Sequence, residues 1–152
     1  MQVLAKLLTP GRTIRRASGG SKKRLFETIA KIVSADQLSL PTAEVFGHLI
    51  AREKLGSTGL GQGIAIPHCR IGNCTHPLGA LVTLDEAVDF DAPDDLPVDL
   101  LFVLLVPEEA HDQHLEILAG VAGLFRQEAF CKALRGAADA SELHRIATTW
   151  DS

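Results

Sequence analysis

Between Pro97 and Pro107 the chain reads Val98-Asp99-Leu100-Leu101-Phe102-Val103-Leu104-Leu105-Val106. A run so apolar, rich in β-branched residues, leucine and phenylalanine, does not alternate as a half-exposed strand would. It predicts a strand buried on both faces. Such a strand needs helices above and below its sheet, and helical patterns supply them. Ser21 is placed to cap a helix over 22–34 whose inner face is Leu25, Ile29, Ile32 and Val33. Pro41 can open a second helix with a stripe of Val45, Phe46, Leu49 and Ile50, which Gly56 is placed to end. A third is expected to start at Pro107-Glu108-Glu109 and to bury Leu115, Leu118, Val121, Ala122 and Phe125. A shorter helix is expected near Glu128–Leu134, and a last one behind Asp139, with Glu142 completing a capping box. Short strands are expected at Ile64–Ile66 and Gly79–Leu84, with an extended piece near Val88–Phe90. Helices interleaved with buried strands imply the α/β class, a central mixed β-sheet flanked by helices on both faces. At 152 residues, 1–152 is expected to be one domain.

Charge and cysteine content exclude several function classes. The net charge of −4 argues against nucleic acid held on a broad basic surface. The charge is unevenly placed: Met1–Phe26 holds seven basic residues and no acidic ones, and Asp85–Glu116 holds eleven acidic residues and no basic ones. Two solvated faces of opposite sign account for this, and steering of a basic protein partner is the sharper alternative. Cys69, Cys74 and Cys131 are odd in number and irregular in spacing, so a reducing cytoplasm is expected rather than a disulfide framework. No apolar run reaches the roughly 20 residues of a membrane span, so no membrane insertion is expected.

The chemistry concentrates in Arg52-Glu53-Lys54-Leu55-Gly56-Ser57-Thr58-Gly59-Leu60-Gly61-Gln62-Gly63-Ile64-Ala65-Ile66-Pro67-His68-Cys69-Arg70. A strand is expected to carry His68 to its end, stiffened by Pro67, which also keeps Ile66 extended. Glycines upstream allow backbone amides to approach an anion. Ser57 and Thr58 add hydroxyls, and Arg52 adds a planar fork suited to phosphate oxygens. A nucleophilic ring nitrogen among such groups makes a phosphoryl site. The bland alternatives are a half-buried His68, an exposed Arg52 and ordinary turn residues at Ser57 and Thr58. Nucleotide motifs fail: there is no P-loop, and Gly59-x-Gly61 lacks its third glycine and precedes a strand. The expected donor is therefore another phosphoprotein, with no cofactor. His68-Cys69-x4-Cys74-x-His76 fits no standard zinc spacing, and His111 and His114 lack a zinc-protease glutamate, so no metal is expected.

This segment resembles the IIA domains of the bacterial phosphotransferase system, of the mannitol/fructose and nitrogen-regulatory class. The class pattern is met at Glu53, Leu60, Gly61, Ile64, Ala65, Ile66, Pro67, His68 and Cys69. The resemblance spans nearly the whole chain, and Arg52–Gly59 with Pro97–Leu101 looks most like the nitrogen-regulatory branch (IIA-Ntr). The resemblance implies that His68 is the phosphoryl acceptor through its distal nitrogen. It implies that Arg52, Ser57 and Thr58 surround the phosphoryl group and that His114 supports it. It also implies an HPr-like phosphocarrier as donor, and regulated partners such as sensor kinases or potassium transporters. Cys69 stands where glycine is commoner but is within the family's range. Three functions follow as expectations: a regulatory phosphocarrier, the IIA component of a sugar permease passing phosphate to a IIB subunit, or an interaction module without turnover.

Overall fold

The computed structural model describes residues 2–109 and 112–151; His111, considered above beside His114, lies outside them. The elements in order are α1 (Val3–Leu7), a 3-10 turn (Pro10–Arg12), β1 (Thr13–Ala17), α2 (Lys22–Asp36) and α3 (Thr42–Lys54). Then come β2 (Gly59–Gly61), β3 (Ile64–Ala65), β4 (His68–Ile71), β5 (Leu78–Val88) and β6 (Val98–Pro107). The chain closes with α4 (Asp112–Phe125), α5 (Glu128–Arg135) and α6 (Ala140–Thr149).

The sheet runs β1-β5-β6-β3-β2, with β4 also on β6. It is mixed: β1 is parallel to β5, β5 is antiparallel to β6, and both β3 and β4 are parallel to β6. The apolar run is the centre of this sheet, and its side chains divide by parity as the pleat demands. Leu101, Val103 and Leu105 face one core with Leu25, Ile29 and Val33 of α2 and Val45 and Leu49 of α3. Leu100, Phe102, Leu104 and Val106 face a second core with Leu4 of α1, Val121 and Phe125 of α4, Phe130 and Leu134 of α5, and Leu143 of α6. The α/β class and the helices on both faces are as expected.

Local chemistry explains the helix ends. The Ser21 side chain accepts from the Arg24 amide, and Asp139 from the Glu142 amide at 2.8 Å. The return bond from Glu142 goes to the amide of Ala138 rather than that of Asp139.

Two expectations need correction. The third helix does not start at Pro107: that residue ends β6 opposite Ile71, Glu108 and Glu109 form a turn, and α4 opens at Asp112. A proline that lacks an amide hydrogen is as suited to a strand's last position as to a helix's first turn. His68 does not close a strand either. Ile64–Ala65 and His68–Ile71 form two segments along the same edge of β6, interrupted at Ile66-Pro67, and His68 opens the second.

Candidate active site

The interruption at Ile66-Pro67 creates the local geometry of His68. Residues of an extended chain point their backbone groups alternately to either side. Gly63 and Pro67 turn their carbonyls toward β6, accepting from Leu100 (3.1 Å) and Leu104 (2.9 Å). Ile66 turns the other way, and its amide donates to the carbonyl of Thr58 at 3.1 Å. The Ile66 carbonyl takes the imidazole of His68, with Nδ1 at 2.7 Å. A carbonyl oxygen only accepts, so this contact places the ring proton on Nδ1 and leaves the lone pair on Nε2.

His68 is half-buried at an open cleft of about 400 Å³ lined by His48, Arg52, Leu55, His68, Cys69, Arg70 and His114. The His68 and His114 ring centroids are 6.2 Å apart, tilted by 46°. His114 is buried in the first turn of α4, and its Nδ1 finds no hydrogen-bond partner among the described residues. Arg52, in the last turn of α3, spends one nitrogen on the Gly56 carbonyl at 3.0 Å and keeps its charge at the cleft.

Electrostatics favour the neutral form of both rings. Burial pushes the His68 pKa below its ordinary 6.5; the hydrogen bond to Ile66 works the other way, the Arg52 charge adds to the depression, and Glu53 opposes it. Burial lowers His114 as well, helped by His68 and Arg70. Cys69 is the opposite case: burial pushes its thiol up to about 12, so no thiolate nucleophile forms beside the histidine.

The structure therefore brings His68, Arg52 and His114 to one cleft. Ser57 and Thr58 lie behind it with their hydroxyl hydrogens engaged elsewhere: Ser57 Oγ donates to the Phe90 carbonyl at 2.9 Å, and Thr58 Oγ1 donates to Glu53 Oε1 at 2.7 Å. Sequence reasoning missed His48 and Arg70. His48 precedes Arg52 by four residues on α3, a spacing that puts both on one helix face. Arg70 follows His68 by two residues in β4, which places it on the same side of the strand. Among the described residues no group of three or more histidine, cysteine, aspartate or glutamate side chains gathers as a metal site requires. No described helix is long and apolar enough to cross a membrane.

A six-stranded mixed sheet between two helical layers is the mannitol-IIA class of fold. The crystal structure of mannitol IIA from Escherichia coli superimposes with a TM-score of 0.73 over 92% of this chain and 98% of that one, at 17% identity, a likeness of fold. The family model described as phosphoenolpyruvate-dependent sugar phosphotransferase system, EIIA 2, matches residues 6–149, and the chain belongs to that family. Relatives at higher identity include nitrogen regulatory proteins. That of Pseudomonas aeruginosa is 50% identical over 143 residues, covering 94% of this chain and 93% of the relative. That of Escherichia coli K12 is 43% identical over 146 residues, covering 95% and 89%. The crystal structure of nitrogen regulatory protein IIA-Ntr from Neisseria meningitidis superimposes with a TM-score of 0.89 at 44% identity, covering 97% of this chain and all of that one.

Proposed function

We propose that this protein is a histidine phosphocarrier of the nitrogen-regulatory phosphotransferase system, working in the cytoplasm as a phosphorylation-dependent regulator. The observation that supports it is the 2.7 Å contact from His68 Nδ1 to the Ile66 carbonyl, which frees Nε2 at a cleft holding Arg52 and His114. In the proposed step the Nε2 lone pair attacks the phosphorus of a phosphohistidine on a small HPr-like carrier. A new N–P bond forms, the donor's N–P bond breaks, and the donor imidazole leaves with the electron pair. Positioning and charge compensation supply the catalysis, as is usual for phosphoryl transfer. The ring of His68 gains positive charge as it is phosphorylated, and the Ile66 carbonyl stabilises the Nδ1–H that shares it. Arg52 offsets phosphoryl charge, and His114 donates to a phosphoryl oxygen. Ser57 and Thr58 belong to this proposal as the scaffold of the loop behind Arg52. The regulated partners are proteins such as sensor kinases or potassium transporters that distinguish the two charge states.

The test is direct. The protein is incubated with phosphorylated HPr-like carrier and its mass is measured: the wild type gains one phosphoryl group and His68→Ala gains none. Uptake by His68→Ala would refute the assignment. A sugar-specific IIB subunit added afterwards separates the roles, since phosphate that stays on the protein supports regulation and phosphate that moves on supports a permease component.

A further inference from the structure

Glu53 is a buried acid that the phosphoryl-transfer step does not use. Its side chain is 5% exposed, yet it receives three donors. Thr58 Oγ1 donates to Oε1 at 2.7 Å, and the Thr58 amide lies 3.2 Å from Oε2 and 3.3 Å from Oε1. Lys22, at the start of α2, donates to Oε2 at 2.8 Å, and its ammonium lies 4.5 Å from the centre of the Phe90 ring. A carboxylate taken out of water persists when donors and a counter-charge replace its hydration. Here those donors come from one residue of the loop that follows α3 and one residue of α2.

The bonds continue beyond Thr58. Its carbonyl accepts from the Ile66 amide at 3.1 Å, and the Ile66 carbonyl accepts from His68 Nδ1 at 2.7 Å. Pro67 restricts Ile66 to extended backbone, in which its amide and carbonyl point the same way. Holding the Ile66 amide therefore aims the Ile66 carbonyl, and that carbonyl holds the ring. The line runs unbroken from Lys22 through Glu53, Thr58 and Ile66 to the imidazole.

We propose that Glu53 is a positioning residue for His68, holding the ring's orientation and its Nδ1–H tautomer through Thr58 and Ile66. The role in transfer rests on the reading of His68 as the acceptor; the effect on the ring does not. It also gives Thr58 a task its buried hydroxyl can perform. The negative charge of Glu53 adds a second effect, since it favours the protonated ring against burial and against Arg52.

Ring-nitrogen NMR of the full chain without phosphate reads the tautomer and pKa of His68, and carrier phosphorylation reads transfer. In the wild type the neutral ring is protonated at Nδ1. Glu53→Gln keeps the size, loses the charge and the pairing with Lys22, and leaves Thr58 a neutral, weaker acceptor at a single amide oxygen. The Nε2–H form then becomes visible, the His68 pKa falls, and acceptance slows about tenfold or more, the scale set by groups that orient a functional histidine. Thr58→Val, which removes the hydroxyl alone, shifts the same signals less. Arg135→Ala breaks a distant pair with Asp99 and leaves the His68 signals unchanged. Wild-type tautomer and pKa in folded Glu53→Gln overturn the proposal; if that variant does not fold, the same result in Thr58→Val overturns it. Ring signals that respond to Glu53→Gln in a protein whose wild type accepts no phosphoryl group refute the acceptor reading and support the positioning role.

Discussion

At the scale of single residues, burial decides which side chains near the cleft are reactive. All three cysteines are buried, and burial raises each thiol, Cys69 to about 12. Iodoacetamide at pH 8 should therefore leave Cys69, Cys74 and Cys131 unmodified in the native protein and label them after unfolding, as mass spectrometry will read. For the histidines the sign runs the other way. His68 and His114 titrate below 6.5 in the folded protein, so the unfolded chain takes up protons first as the pH falls. Their contribution to stability is complete above pH about 6.5 and is lost as the pH drops through their folded-state values. Melting temperature against pH should show this decline, and His114→Gln should make it shallower. By the same sign, phosphoryl acceptance should stay level down to pH about 6.5, where an unperturbed histidine is already half protonated. His68 and Arg52 were legible because a nucleophile beside proline and an arginine near a helix end leave a mark in residue type and spacing. The carbonyl that orients the ring left none, because every residue has one. The hydroxyls of Ser57 and Thr58 were legible only as donors; what they donate to depends on Phe90 and Glu53.

At the scale of elements, the pairing of β5 with β6 leaves no room at Gly79. A Cβ there would lie 2.7 Å from Cε2 of Phe102 and closer still to its Cζ. Gly79→Ala should destabilise the protein by about 1–3 kcal/mol in urea unfolding, the usual cost of overpacking a core. Elements with strong local signatures were legible in the sequence. α2 and α6 have capping side chains, and β6 has an apolar run that needs no context. α1 and β1 went unread for physical reasons. α1 is five residues long, shorter than any periodicity test can resolve, and is held by packing against the second core. β1 carries Arg15 and Arg16 on an edge, where solvated side chains erase the apolar alternation of a strand. The hairpin of β2 and β3 hid in glycines; Gln62 and Gly63 turn it with φ of 58° and 82°.

At the scale of the whole molecule, Arg12 joins parts that the sheet alone does not. Its guanidinium donates to the Leu7 and Gly79 carbonyls, each at 2.8 Å, and pairs with Asp36 at the end of α2. Arg12→Ala strands two buried carbonyls and a carboxylate and should cost about 3–5 kcal/mol by denaturant unfolding. Arg12→Lys should recover little, because one ammonium cannot span three acceptors in that fork. The acidic stretch is partly architectural. Asp94 holds the amides of Gln62 (2.7 Å) and Leu96 (3.2 Å), Asp99 pairs with Arg135 at 2.8 Å, and Asp91 lies 3.5 Å from Lys22. The Asp94 and Asp91 contacts tie the connection between β5 and β6 to the hairpin and to α2, and Asp99 ties β6 to α5. The break in the edge strand at Ile66-Pro67 has a consequence for the proposed regulatory role. The anchor of the imidazole is at the nitrogen opposite the one that would carry phosphate. On the proposed reading this anchor is kept when the group is added or removed, so a downstream protein would sense the dianion itself, by touch at the cleft mouth, instead of a remodelled scaffold.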